Sequence, residues 1–388
     1  MPPIRYHNLG PTKLLHDIVF AGSHDAGITG GDVNVRTQSH NLFEQASHGI
    51  RFFDMRVAAS TVVIDGERFA EMRTFHSGVT TEKNKTATVL GLQNAANLQV
   101  KRSKLRGGDW GEGLTGLLQQ AGRFVSDPAS NTEFLILKFD KSTNWVPIAR
   151  QCEEELGNLL YAQSGNLNTT PIGNLAGHVI VLFPTSGIAA IAGEPLNVRR
   201  GIRGWQNLKA EGTTYLPGFD GLQYFGKGGT SATNGASMAS KIAENETKQK
   251  KLMGQAVVAR EQSRTFGRLS GPKQYDPPVP PETLGMMYWT TTGLLASIED
   301  RNAGMWDNPG QTRLKKVWAN GMSDYLSGIL HADVASTALT DRAKQMAAGA
   351  TTRRFIPNIV MVDFADRMKC DTIYGLNAVT AFDLARLV

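Results

Sequence analysis

Polar side chains with catalytic potential sit at the ends of short apolar runs, and this placement constrains the fold more than any bulk property of the chain. Three such runs come early, IVFAGSHDAG, GIRFFDMRV and EMRTFHSG, and they carry His24, Arg56 and His76. Ile18 to Ala21 is apolar and breaks at Gly22, Ser23 and Gly27, so it reads as a strand that leaves into a loop at His24. Ile50, Phe52, Phe53, Met55 and Val57 read as a buried strand whose period of two puts Asp54 and Arg56 on one face, where the carboxylate can hold the guanidinium. His76 follows Phe75 and precedes Ser77 and Gly78, again polar chemistry at an exit from apolar sequence. Three such strand ends suggest one mouth of a barrel. The predicted class is α/β, a TIM-type (β/α)8 barrel with long loop insertions, with room in the pattern for a regular or a distorted, incompletely closed form.

The residue types point to a chemistry. Two imidazoles, with an ordinary pKa of about 6.5, can serve as base and acid near neutral pH. A guanidinium neutralises a phosphate. Together they are the parts of a metal-free phosphodiester-cleaving site. Each part alone has a plainer reading: a lone histidine is usually structural, and an Asp-x-Arg in a strand is often an internal ion pair. It is the conjunction that counts. His7, His16, His40, His48, His178 and His331 lack a comparable setting and read as structural or exposed.

The order SHDAG, GIRFFDMR, FHSG resembles the X-region of phosphatidylinositol-specific phospholipase C in its bacterial, metal-independent form. The three motifs span Ile18 to Gly78. Beyond them, EFLILKFDK around Lys138, HVIVLFP around Val181, MMYWTTTG around Trp289 and NIVMVDFAD around Asp363 look like later barrel strands. The resemblance implies that His24 is the general base taking the proton from the inositol 2-hydroxyl, and that His76 is the general acid protonating the departing diacylglycerol oxygen. It implies that Arg56 stabilises the phosphate, that Asp25 supports the acid histidine and that Asp363 orients the base, with Asp366 the nearby competitor. Lys138 lies where the fourth strand of such enzymes carries a polar residue, and Asp54 and Lys138 are candidates for binding substrate. In the calcium-dependent branch an acidic residue stands where Arg56 is, so the resemblance implies neither metal nor cofactor here. One departure concerns the head group: the basic residue expected after the fifth strand is missing from VIVLFPTSG, and either Arg203 compensates or the head group differs.

At 388 residues the chain suits one decorated barrel, since eight strand-helix units take about 250 residues before insertions. The insertions are placed near residues 80–113, with a helix over Thr86 to Lys101, and near 215–282, with FGKGGTSATNGAS, a helical stretch to about Gln262 and the proline-rich SGPKQYDPPVPPE. The phosphate-loop pattern GxxxxGK[ST] is absent around GKGG, which reads as a loop. A formal net charge of +6 favours acidic membrane surfaces, and the expected partner is a phospholipid at such a surface. No nucleic-acid recognition motif accompanies the basic groups at Lys101 to Arg106, Arg199 to Arg203 and Lys248 to Lys251. In SGIAAIAGEP, Ile188 and Ile191 are candidates for entering lipid, against ordinary packing under a neighbouring loop. Cys152 and Cys370 read as free and buried. No run approaches the roughly 20 apolar residues of a membrane span, and a monomer is expected. The resemblance implies secretion, whereas the first residues lack an apolar signal core, which suggests the cytoplasm or another export route. Two other functions fit the same barrel: a metal-dependent glycerophosphodiesterase, which needs carboxylates clustered near His24, and a non-catalytic lipid- or inositol-phosphate-binding module.

Overall fold

The computed structural model describes residues 3–93, 97–209, 213–226, 237–257, 260–262, 265–266, 269–270, 274–276, 280, 282–291, 297–307, 309–318 and 357–378. Through them run β1 (Phe20–Ser23), α1 (Leu42–His48), β2 (Ile50–Met55), β3 (Val57–Ile64), β4 (Glu67–Phe75), β5 (Val79–Val89), β6 (Gln99–Leu105), β7 (Trp110–Gly113), α2 (Leu114–Ser126), β8 (Leu135–Phe139), α3 (Trp145–Leu156), β9 (Val179–Pro184), β10 (Ile202–Asn207) and β11 (Gly221–Gly226). Four short strands follow, β12 (Arg260–Gln262), β13 (Thr265–Phe266), β14 (Leu269–Ser270) and β15 (Gln274–Asp276), and then β16 (Leu284–Tyr288) and β17 (Pro357–Val362).

Eight of these strands close a barrel in the order β1-β2-β8-β9-β10-β11-β16-β17, and every neighbouring pair is parallel. The barrel is closed, an α/β barrel of the expected TIM type. Parallel strands are covered on both faces, which is why β2, β8 and β17 are buried at every residue and mostly apolar, with Arg51, Asp54, Lys138 and Asn358 as buried polar exceptions. The helices lie outside. Along α2 the buried Leu114, Leu117, Leu118, Ala121, Phe124 and Val125 recur at three- and four-residue spacing and turn one stripe to the barrel. The opposite end from the strands' C-termini is tied by Glu133, which accepts from the backbone N–H of Tyr6 and His7 and from Arg51 at 2.8 Å.

The structure corrects three expectations. His76 does not end a barrel strand: β4 belongs to an antiparallel insert, β3-β4-β5-β6 with β7 on β4, placed between barrel strands β2 and β8. The helix expected over Thr86 to Lys101 is instead the meeting of β5 and β6, because Thr, Lys and Gln alternate there as on a half-solvated sheet. The excursion placed at 215–282 contains a barrel strand, β11, and its helical stretch is the helix Met238–Val257. The segment GKGG falls largely outside the described residues. Ile191 is buried and Ile188 packs against the core, so of the two readings of SGIAAIAGEP the structure has ordinary packing. Both cysteines are free and buried. Among the described residues no helix is long and apolar enough to cross a membrane.

Candidate active site

The C-terminal ends of β1, β2 and β17 and the exit of β4 meet at one mouth. Beyond β1, the His24 N–H donates to the Val362 carbonyl, extending the β1-β17 ladder by one bond. Asp25 then takes a left-handed backbone, φ 43, which turns its side chain back toward the mouth. Ser77, after His76, and Phe364, after Asp363, also have positive φ, at 79 and 48. Conformations of this kind cost about 1–3 kcal/mol each and persist where surrounding structure holds them. Here Gln38 does so: its Nε2 donates to the carbonyls of His24 and Val362, while its Oε1 accepts from the Ala365 N–H.

The insert is docked on the β1 loop by glycine. A Cβ on Gly111 would stand 2.2 Å from the Gly27 carbonyl oxygen, and one on Gly27 would stand 2.6 Å from the Thr74 side chain. That closeness lets the Glu112 N–H and the Thr74 hydroxyl both donate to the Gly27 carbonyl, and it fixes His76 against the His24 loop. Gly111→Ala is therefore expected to push the insert away, costing about 1–3 kcal/mol as overpacking does. Turnover should fall at least about tenfold, since small displacements of catalytic groups cost up to about 10²-fold. Thermal denaturation and turnover check it, and a variant with unchanged melting and unchanged turnover would count against the docking role.

Asp25 is the hub. Its Oδ2 lies 3.7 Å from His24 Nε2 and 3.8 Å from His76 Nε2, and its Oδ1 lies 3.0 Å from Arg56 Nε. These are contacts of charge without hydrogen-bond alignment, so both Asp25 oxygens, Arg56 Nε and His76 Nδ1 are buried without a hydrogen-bond partner among the described residues. Buried polar atoms of that kind are costly and therefore informative about a ligand. On its far side His24 donates from Nδ1 to Asp363 Oδ1 at 2.9 Å, and Asp363 Oδ2 accepts from Asn302 Nδ2 at 3.2 Å. Asp363, not Asp366, meets the histidine: Asp366 caps the helix Arg367–Gly375 by accepting from the Lys369 N–H.

The expected pairing of Asp54 with Arg56 is corrected. Asp54 accepts from Lys138 Nζ at 2.9 Å, and Asp25 takes the guanidinium. Lys138 also reaches Asp140 at 3.2 Å and lies over the rings of Trp205, at 4.4 Å, and Tyr224, at 5.9 Å. Since β8 and β11 are separated by two strands, these side chains can only meet inside the barrel. They form a polar and aromatic floor beneath the mouth. Arg203 is not part of it. Near the start of β10, it donates to the carbonyls of Ala162 and Gln163, which precede β9, and so belongs to the other end of the barrel. The sequence reading also missed Tyr288, whose ring meets His24 edge-on at 5.7 Å, and the positioning residues Gln38 and Asn302. Tyr288 stands in a run already read as a strand, so its position was available; Gln38 and Asn302 carry no local signal.

Electrostatics divide the two imidazoles. Burial opposes charge on His24, but the carboxylates of Asp25 and Asp363 overcome it and raise the ring to about 9. His76 moves the other way: burial, with the cations of His24 and Arg56, lowers it more than Asp25 restores. Burial would raise Asp25, yet His24, Arg56 and His76 hold it below the usual carboxylate range. Lys138 is likewise buried, and Asp54 more than compensates, keeping it charged.

His24, Asp25 and Asp54 each offer one ligand atom, all within 4.8 Å of one another, and this is the group among the described residues that fits a cation. Both carboxylates already face cations of the protein, Arg56 and Lys138. A calcium ion, which takes six to eight oxygen ligands, would have to displace them.

No protein-family model matches the sequence, and no curated protein matches it. Among solved structures, the chain is similar to a mutant of phosphatidylinositol-specific phospholipase C from Staphylococcus aureus, with a TM-score of 0.42 and 13% identity over 94% of this chain and 95% of that one. It is also similar to a calcium-dependent phosphoinositol-specific phospholipase C from Pseudomonas sp., with a TM-score of 0.31 and 10% identity over 56% of this chain and 78% of that one. Overlaps this loose carry no argument about chemistry.

Proposed function

We propose that the chain is a phosphodiesterase that cleaves phosphatidylinositol or a related phospholipid by intramolecular attack. The observation that carries the reading is the convergence of both imidazole Nε2 atoms, within 3.8 Å, on one Asp25 oxygen beside the Arg56 guanidinium. With Nδ1 committed to Asp363, His24 Nε2 takes the proton of the 2-hydroxyl, and that oxygen attacks phosphorus. As the new P–O bond forms, the bond to the diacylglycerol oxygen breaks and His76 delivers the proton to it. The products are a diacylglycerol and a five-membered cyclic phosphate. Arg56 stabilises charge on the phosphoryl oxygens. The floor of Asp54, Lys138, Trp205 and Tyr224 offers a carboxylate, an ammonium and aromatic faces to a polyol head group. Arg203 has no place in this reading, so Lys138 is the cation left to meet the ring.

The test is turnover of phosphatidylinositol, phosphatidylglycerol and phosphatidylcholine, with products followed by phosphorus NMR. A cyclic phosphate from phosphatidylinositol supports the proposal; release of an acyclic monoester from the first turnover onward counts against intramolecular attack. The cluster of His24, Asp25 and Asp54 favours a second reading, a metal-dependent phosphodiesterase on the same barrel. The two part on one result. Because Arg56 and Lys138 already neutralise these carboxylates, turnover is expected to persist in a calcium chelator, and activity lost to the chelator and restored by calcium would establish the second reading.

A further inference from the structure

The insert that delivers His76 has two features the chemistry does not use. At the end of β3, next to the Asp65-Gly66 turn into β4, Val63 and Ile64 are 63% and 47% exposed, with Val62 and Phe69 half-buried just behind them as a cross-strand pair. Consecutive residues of a strand point to opposite faces, so Val63 and Ile64 put one exposed apolar side chain on each side of the hairpin just behind its turn, an arrangement that packing of one face does not explain. Arg68 stands opposite Val63 and Glu67 opposite Ile64, and with Asp65 in the turn the end of the hairpin carries two carboxylates and one cation of its own. Beside this hairpin, residues 79–106 hold six cations against one carboxylate, while the whole chain carries a formal net charge of only +6, so the basic character of the protein is concentrated here. Lys83, Lys101 and Lys104 are exposed, and Arg102 on β6 donates to the Thr61 hydroxyl of β3 at 3.4 Å, which places the basic strands against the distal half of the apolar hairpin.

We propose that this insert is the membrane-docking element of the enzyme, its β3-β4 tip entering an anionic bilayer while the β5-β6 lysines meet the head groups. The inference rests on reading the substrate as a phospholipid. Exposed Val63 and Ile64 beside strands whose cations outnumber the tip carboxylates Asp65 and Glu67 fit a bilayer, because lipid offers an apolar interior and a negative surface together, whereas a nucleic acid would use the lysines and leave Val63 and Ile64 in water. The connection to catalysis is covalent. Arg56 immediately precedes β3 and His76 immediately follows β4, so both hairpin strands leave from the active-site mouth.

The experiment is sedimentation with vesicles of phosphatidylcholine alone and of phosphatidylcholine with phosphatidylserine, across salt. Turnover of a soluble inositol aryl phosphodiester is measured on the same samples. Wild type is expected to prefer the anionic vesicles and to lose them at high salt. Val63→Ser with Ile64→Ser should weaken that binding about tenfold. Lys83→Glu with Lys101→Glu and Lys104→Glu should weaken it on the order of 10²-fold, from about tenfold or less per charge near the surface. Both should keep wild-type turnover of the soluble substrate. Ile64→Trp should show blue-shifted emission on anionic vesicles. Binding equal in wild type and both multiple variants, or tryptophan emission unchanged by vesicles, overturns the proposal, as does tighter binding to duplex DNA than to anionic vesicles. Vesicle binding does not depend on turnover: if wild type binds as expected but cleaves no phospholipid, docking stands and the phospholipase reading falls.

Discussion

His76→Ala is expected to recover most of its lost turnover when the leaving group is an aryl oxide, and His24→Ala is not. On a phospholipid, each substitution should cost about 10² to 10⁴-fold, the usual worth of a general acid or base. The departing diacylglycerol oxygen is an alkoxide and leaves poorly unless protonated. A nitrophenolate leaves unaided. Removing the acid therefore matters on the first substrate and hardly at all on the second, whereas the 2-hydroxyl must lose its proton on both. The geometry adds a control. Asp25 touches His24, His76 and Arg56, so Asp25→Asn disturbs all three and should show no rescue by the aryl group. Circular dichroism would confirm that each variant is folded. Equal losses on both substrates in both histidine variants would refute the division of roles.

The barrel was legible where burial on both faces wrote continuous apolar sequence. FLILKF, VIVLFP and NIVMVD could be read as strands because little polar interrupts them: Lys138 in the first, and Asn358 and Asp363 at the two ends of the last. IRGWQN and GLQYFG, which became β10 and β11, are barrel strands of equal standing but carry glycine and polar residues, since Trp205 and Tyr224 line the floor and Gln206 and Gln223 bond to each other. The insert was misread for the opposite reason. With one face in solvent, its threonines and lysines look like loop or helix surface until their partners are known. The five catalytic candidates, His24, Asp25, Arg56, His76 and Asp363, do come together, because strand ends of one barrel and the exit of β4 share a mouth. Which carboxylate pairs with which cation was not legible. Parity puts Asp54 and Arg56 on one face, but Lys138 lies 84 residues farther along, and the left-handed turn at Asp25 is what frees Arg56 from Asp54.

The pH dependence assigns the base independently of any variant at His76. In the free site His24 is raised to about 9 and His76 is lowered from 6.5, so near pH 7 the proton sits on His24. If His24 is the base and His76 the acid, the competent form has the proton on the other ring and is a minor species. Its population is constant between the two pKa values and falls outside them. The same bell arises if the roles are exchanged, so kcat/KM on a phospholipid should fall below the His76 pKa and above about 9 under either assignment. An aryl substrate breaks the symmetry, because it asks only for the base. With His24 as base, kcat/KM on the aryl substrate should rise tenfold per pH unit until about 9 and then level off. With His76 as base it would already be level at neutral pH. Asp363→Asn removes one of the two carboxylates that hold the His24 proton, so the rising limb should move toward 6.5. Basicity falls with it, and the plateau above the limb should drop. A rising limb that stays at 9 in this variant would show that it belongs to another group, and a flat aryl profile in the wild type would transfer the base to His76.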